Sequence, residues 1–221
     1  MADIFGKFGS GFAETIVGTP QDDNIWPLGG FDVVDGGGGI DTVYVDAPVA
    51  KFEVLNLFGT YYVDTVSGAS AVQDQTTLKN VERLVFSDTK LALDLGTTQA
   101  GGQSALLLGA VLGHNAVTAQ PVLVGALLQL FAAGLTLHDL SAFVMKLDIW
   151  QALAGGTSNA QVATYLLTTV NGHAPSAAEL GSAVSALAAS PGEFLYNLAL
   201  SSANQTQVNL VGLQQHGLVF M

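Results

Sequence analysis

The chain has no cysteine, and only six basic residues stand against eighteen acidic ones, giving a formal net charge of −12. The first absence excludes disulfides and thiolate metal sites, and leaves the redox compartment unread. The second excludes nucleic acid and anionic membranes as partners, because either needs a basic surface that displaces counterions. Long hydrophobic runs are missing as well. The longest apolar stretch, PVLVGALLQLFAAGLTL at residues 121–137, ends directly in His138 and Asp139. A spanning helix needs about 20 apolar residues, so the expectation is a buried helix and a protein that does not span a membrane. The opening MADIFGKFGSGF has no basic start followed by an apolar run, so no cleavable secretory leader is expected.

Catalytic motifs are also scarce. His114, His138, His173 and His216 stand singly, with no HExxH spacing; no GxSxG elbow surrounds a serine, and no GK[ST] follows the glycine-rich DGGGGID. The expectation is a protein that is not an enzyme. Trp26 is expected on the surface of the strand-rich half and Trp150 in a core or interface.

What is present divides the chain in two. Fourteen of the eighteen acids and five of the six basic residues lie before residue 100, whereas the remainder is rich in Ala, Leu, Gly and Ser. In the first part Asp23, Asp32 and Asp41 recur every nine residues, and two places after each comes an aliphatic residue, Ile25, Val34 and Val43. Extended backwards, the register places Glu14 and Ile16 at the same positions. Four units follow without a gap: GSGFAETIV, GTPQDDNIW, PLGGFDVVD and GGGGIDTVY.

The last unit matches G-G-x-G-x-D-x-U-x, and the tract resembles the RTX calcium-binding repeats. That resemblance implies a short parallel β-roll in which six residues turn and three form a strand. Turns 18 residues apart would then share a cation. Calcium takes six to eight oxygens in flexible geometry. Asp23 and Asp41, with carbonyls from the turns that carry Gly18, Gly36 and Gly38, form the better-conditioned site; a second would pair Glu14 with Asp32. Phe12, Pro27 and Leu28 depart from the glycine pattern there. Without a cation, this concentration of aspartates opposes coiling.

Residues 49–66 predict two strands joined near Phe58, Gly59 and Thr60, and residues 77–95 another pair around Ser87 and Asp88. These strands are expected to cap the last coil, with Val81, Leu84, Val85 and Phe86 packed inward. LKNVERLVFSD also resembles the segment that closes RTX tracts in proteins exported by type I secretion.

From Gln103 onward the pattern is helical. Capping boxes start helices at Ser158 with Gln161, Ser176 with Glu179, Ser190 with Pro191 and Glu193, and more weakly Thr136 with Asp139. Helices are predicted near 103–112, 121–133, 137–153, 159–171, 176–188 and 191–200, with a last one around 205–215. Residues 165–205 resemble the all-helical repeat domain of unknown function found behind RTX tracts, although His173 stands where that family has arginine and its tryptophan is absent.

The reading is an α+β chain in two parts: residues 1–99, a calcium-binding β-roll with capping strands, and residues 100–221, an all-helical bundle ending in a C-terminal secretion signal. Ca²⁺ is the expected cofactor. The expected function is a secreted, extracellular structural or interaction protein, of adhesion, surface-layer or biofilm-matrix type. Its partners would be other copies, the cell surface or matrix, and the type I secretion apparatus. The alternative is a secreted carrier with an apolar ligand, lipid or haem, in the helical part.

Overall fold

In the computed structural model, residues 1–7, 13–66 and 74–221 are described. Phe12, with the first residues of the first nonapeptide, lies outside them. The chain forms two compact units, Met1–Leu95 with Gly212–Met221, and Gly96–Val211.

In the first unit the nonapeptides alternate between two sheets. Strands β1 (Ala2–Phe5), β3 (Asp23–Trp26) and β5 (Thr42–Val45) run parallel in one, and β2 (Thr15–Val17) and β4 (Phe31–Asp35) run parallel in the other. Ile16 pairs with Val34 and Ile25 with Val43. The aliphatic position of every unit thus points between the sheets, where these four side chains are buried. Period-two alternation puts the neighbouring residues outside, and there Trp26 stacks between Phe5 and Tyr44 at centroid distances of 4.8 and 4.6 Å.

The hairpin of β6 (Phe52–Leu57) and β7 (Thr60–Thr65) turns at Phe58 and Gly59, both with positive φ. The chain then resumes the coil. Strand β8 (Gln75–Lys79) adds parallel to β4, and β9 (Arg83–Phe86) adds parallel to β5. These two strands therefore extend the stack instead of capping it. Leu78 and Leu84 carry the two inward columns one coil further. Val81 and Phe86 are inward too, whereas Val85 is half-buried.

The sheets are mixed, because antiparallel strands complete both of them. β10 (Lys90–Ala92) and β11 (Leu218–Phe220) extend the first sheet, and the β6–β7 hairpin extends the second. The α+β composition is as expected, but the order "parallel roll, then bundle" is not. The division falls at Leu95, and the last ten residues, expected in the helical part, return to the strand-rich unit.

The second unit is helical: α1 (Ala100–Leu112), α2 (His114–Ala119), α3 (Pro121–Ala132), α4 (Leu137–Val144), α5 (Trp150–Leu153), α6 (Asn159–Asn171), α7 (Ala177–Ala189), α8 (Pro191–Ala199) and α9 (Ser202–Gln207). A further helix, α10 (Leu210–His216), leads back to the first unit. Capping boxes at Thr136, Ser158 and Ser176 form with both hydrogen bonds. Ser190 makes no side-chain cap; Glu193 bonds His138 and Asn197 instead.

The single helix expected over 137–153 breaks after α4. Lys146 and Leu147 bond back three residues to Phe143 and Val144, tightening the turn until the helix ends. The expected last helix divides at Asn209, which has φ 51°. α3 is a surface helix, not a buried one: Val124, Gly125 and Leu128 are covered, while Val122, Leu123 and Leu130 are exposed. Trp150 is buried among Leu107, Leu140, Leu166 and Leu195. Among the described residues no helix is long and apolar enough to cross a membrane.

Candidate functional site

Stacking the nonapeptides places the acid of one coil beside the backbone of the coil before it. The Ala2 amide donates to Asp23 Oδ1 at 2.9 Å, the Asp23 amide to Asp41 Oδ1 at 2.8 Å, and the Asp41 amide to Glu82 Oε2 at 2.8 Å. The result is a column of three acids along one edge of the sheets. Asp23 and Asp41, 18 residues apart, are 1% and 0% exposed. Sequence reasoning missed Glu82, because the hairpin interrupts the nine-residue count. The signal was present nonetheless: Glu82 stands two places before the buried Leu84, the same spacing as Asp41 before Val43.

Turn glycines let the coils approach this closely. A Cβ on Gly36 would stand 2.6 Å from Asp41 Oδ2 and collide with the Asn80 carbonyl oxygen. One on Gly18 would collide with the Gly36 carbonyl oxygen and lie 3.0 Å from Asp23 Oδ2. The carbonyl oxygen and the carboxylate oxygen of each pair therefore crowd the same point. Gly38 is under no such constraint: its amide donates to the Thr19 carbonyl, and an added Cβ would make ordinary contact with Pro20. In this turn the positive φ angles fall on Gly37 and Gly39.

The electrostatics of the column are uneven. The Thr19 amide, 2.6 Å from Asp23 Oδ2, holds the Asp23 carboxyl below its ordinary value, helped by the Ala2 amide and opposed by burial. Burial pushes Asp41 up to about 7; the Asp23 amide opposes this, and the charges of Glu82, Asp23 and Asp22 add to it. Glu82 is raised as well, chiefly by burial. Asp41 Oδ2 is buried and accepts no hydrogen bond. The Arg83–Asp94 ion pair lies outside the column, although the Arg83 charge works against the rise at Glu82, and the His138–Glu193 contact lies in the helical unit.

Asp32 stands on the opposite edge. There the Glu14 amide donates to its Oδ1 at 3.1 Å, and its Oδ2 is buried without a partner. Burial raises its pKa, and the Glu14 and Asp74 charges add to the shift. The turn beneath runs through Leu28, Gly29 and Gly30, all with positive φ. Leu28 adopts a left-handed conformation in place of a glycine, at a cost of about 1–2 kcal/mol. The structure thus brings Asp23, Asp41, Gly18, Gly36 and Gly38 to one edge and takes Asp32 to the other.

Both edges offer anionic and carbonyl oxygens, the donor set of a hard cation. Among the described residues no group of three or more His, Asp or Glu side chains is placed to hold a metal. Any cation on the column would therefore need backbone carbonyls beside two carboxylates. The histidines do not converge: His138 pairs with Glu193, His173 meets the Ala174 carbonyl and His216 the Val54 carbonyl.

No family model matches the chain, and no curated protein matches its sequence. Among solved structures, the extracellular lipase LipA from Serratia marcescens is similar over 38% of this chain and 14% of the lipase chain, with 18% identity and a TM-score of 0.21. A likeness of that extent carries no functional argument.

Proposed function

We propose that this chain is a secreted, extracellular calcium-binding protein with a structural or interaction role, of adhesion, surface-layer or biofilm-matrix type. In this reading the parallel strands are a short RTX-like β-roll whose folding is completed by calcium outside the cell, after export by type I secretion. The observation that supports it is the buried Asp23–Asp41 pair, stacked at an 18-residue interval, with Asp41 Oδ2 left without a partner.

The residues fit the ion in three respects. The donors are all oxygen, Asp41 Oδ2 is buried without a hydrogen-bond partner, and the Gly36 and Asn80 carbonyl oxygens share with the Asp23 and Asp41 carboxylates the space that a side chain on Gly18 or Gly36 would fill. Asp23 and Asp41 would hold the ion, with carbonyls of the turns carrying Gly18, Gly36 and Gly38; Asp32 would serve the opposite edge with Glu14. A bound cation supplies positive charge, and the chain's own residues fix the register at which the turns can share it. Partners in this role are other copies, a cell surface or a matrix polymer. The carrier alternative has in its support only an open depression beside α6, lined by Leu153, Ala154, Ala160 and Tyr165 together with Gln161, Thr164, Thr168 and Thr169.

The test is a calcium titration of the full chain, followed by unfolding of the strand-rich unit in urea. Sites of the extracellular class bind at about 0.1–1 mM, so 1 mM calcium should add on the order of 0.4–1.4 kcal/mol per site. Asp41→Ala should abolish the response. A strand-rich unit equally stable in calcium and in chelator would refute the proposal.

A further inference from the structure

We infer that the C-terminal segment Gly212–Met221 is exchangeable between copies of the chain, and that the surface it covers on the strand-rich unit also serves as an interface for the same segment of a second molecule. The inference deepens the self-association part of the proposed function; it does not depend on calcium.

The segment belongs to the strand-rich unit by contact but reaches it only through the helical unit, Gly96–Val211. Its docking is local and well defined. β11 pairs antiparallel with β10, with Lys90 opposite Phe220 and Ala92 opposite Leu218. Leu218 is buried, and the Arg83 guanidinium and Lys90 ammonium each lie 5.9 Å from the Phe220 ring centroid. Upstream, the Tyr61 hydroxyl donates to the Gln214 carbonyl at 2.8 Å, Gln214 Nε2 donates to the Leu95 carbonyl at 2.8 Å, and His216 Nδ1 meets the Val54 carbonyl at 3.0 Å. Gly217, at φ 84°, makes the turn into β11, where a Cβ would press on Leu91 and Leu93.

Each of these contacts is made between the segment and the strand-rich unit, so each can be made equally by the segment of another copy. Exchange of an identical element keeps the contact energy and changes only the linkage. Two features favour it. The docked strand lies at a sheet edge, where strand addition is the ordinary mode of recognition. The segment also follows a short break: Val208 and Asn209, the latter at φ 51°, separate α9 from α10, and a short connection is the kind of place at which swapping redirects the chain. Because donor and acceptor surfaces differ, such exchange need not close on a dimer and can propagate from copy to copy.

The absence of cysteine makes the test direct. Full-length Lys90→Cys and Phe220→Cys chains are mixed in denaturant, refolded together over a range of concentrations and oxidised. Exchange predicts a mixed disulfide dimer whose yield rises with concentration, several-fold above a control pair of Lys90→Cys with Ser202→Cys. Chains mixed after folding should give the control yield. Should Phe220→Cys itself release the segment, Leu91→Cys with Val219→Cys, the adjacent register pair, repeats the experiment. The series is run in calcium and in chelator: cross-linking above control in either supports exchange. Control-level yield with both pairs in both conditions overturns it and leaves the cation reading to stand on the calcium dependence of unfolding.

Discussion

Asp41→Asn isolates the charge that the fold makes least comfortable. Asn keeps an oxygen to accept the Asp23 amide and replaces the unpartnered Oδ2 by an amide group, which can donate toward the nearby Asn80 carbonyl. In the folded chain burial lifts Asp41 from 3.8 to about 7. A carboxyl raised on folding contributes stability that is fully present below its unfolded value and lost as pH rises through its folded one. At 1.36 kcal/mol per unit the loss approaches ~4 kcal/mol, and local relaxation around the charge reduces it to on the order of 2 kcal/mol. The raised Glu82 and Asp32 act in the same direction. Asp23, whose value is lowered, contributes stability that disappears only below its ordinary range, so the interval from about pH 4 to 7 belongs to the raised groups. The assay is urea unfolding in chelator, followed by Trp26 fluorescence in a Trp150→Phe background. The wild-type strand-rich unit should be more stable at pH 5 than at pH 8, opposite to ordinary acid denaturation. Asp41→Asn should stabilise it at pH 8, flatten the pH dependence and remove the response to calcium. Greater wild-type stability at pH 8 than at pH 5, or a destabilised Asp41→Asn at pH 8, would refute the reasoning.

Gly36→Ala should destabilise the strand-rich unit by at least ~2 kcal/mol, because the new Cβ meets the Asn80 carbonyl and the Asp41 carboxylate; calorimetry should show the helical transition unmoved. Tyr61→Phe removes the donor to the Leu93 and Gln214 carbonyls and should cost about 1–2 kcal/mol, with faster hydrogen exchange at Leu218–Phe220 as the local readout. Ser176→Ala removes one capping box and should cost about 1 kcal/mol, visible in the helical unfolding transition by circular dichroism and absent from Trp26 fluorescence.

The nine-residue spacing of acid and aliphatic residues makes the first coils legible, since a period is a statement about stacking. It locates Ile16, Ile25, Val34 and Val43 in the core and brings Asp23 beside Asp41. The helix starts at Thr136, Ser158 and Ser176 are legible because a capping box is local chemistry. Long-range pairing is not written in any local pattern. That β8 and β9 resume the coil after a hairpin, and that Leu218–Phe220 pair with a strand more than a hundred residues earlier, follow from edges left open by the preceding strands. The same blindness hid Glu82, which completes the acid column from beyond the hairpin. α3 reads as a core helix because it is apolar throughout, yet only the face of Val124, Gly125 and Leu128 is covered; composition does not say how much of a helix its neighbours reach.

The acid column ties the architecture to its chemistry. Each carboxylate accepts the amide of the coil before it, so the acids fix the register in which the coils stack. That task uses one oxygen. At Asp41 the other is left buried without a donor, and the neighbouring acids make matters worse, because Asp22, Asp23 and Glu82 all raise its pKa. An apolar replacement would relieve the charge but lose the acceptor for the Asp23 amide, leaving a buried donor unmet at a cost of about 1–3 kcal/mol. On the proposed reading, positive charge from outside the backbone, a proton or a cation, would relieve the buried Asp41 carboxylate. Sensitivity to that charge would then follow from how the coils are registered, because Asp23, Asp41 and Glu82 are both the acceptors that set the register and the groups such a charge would meet.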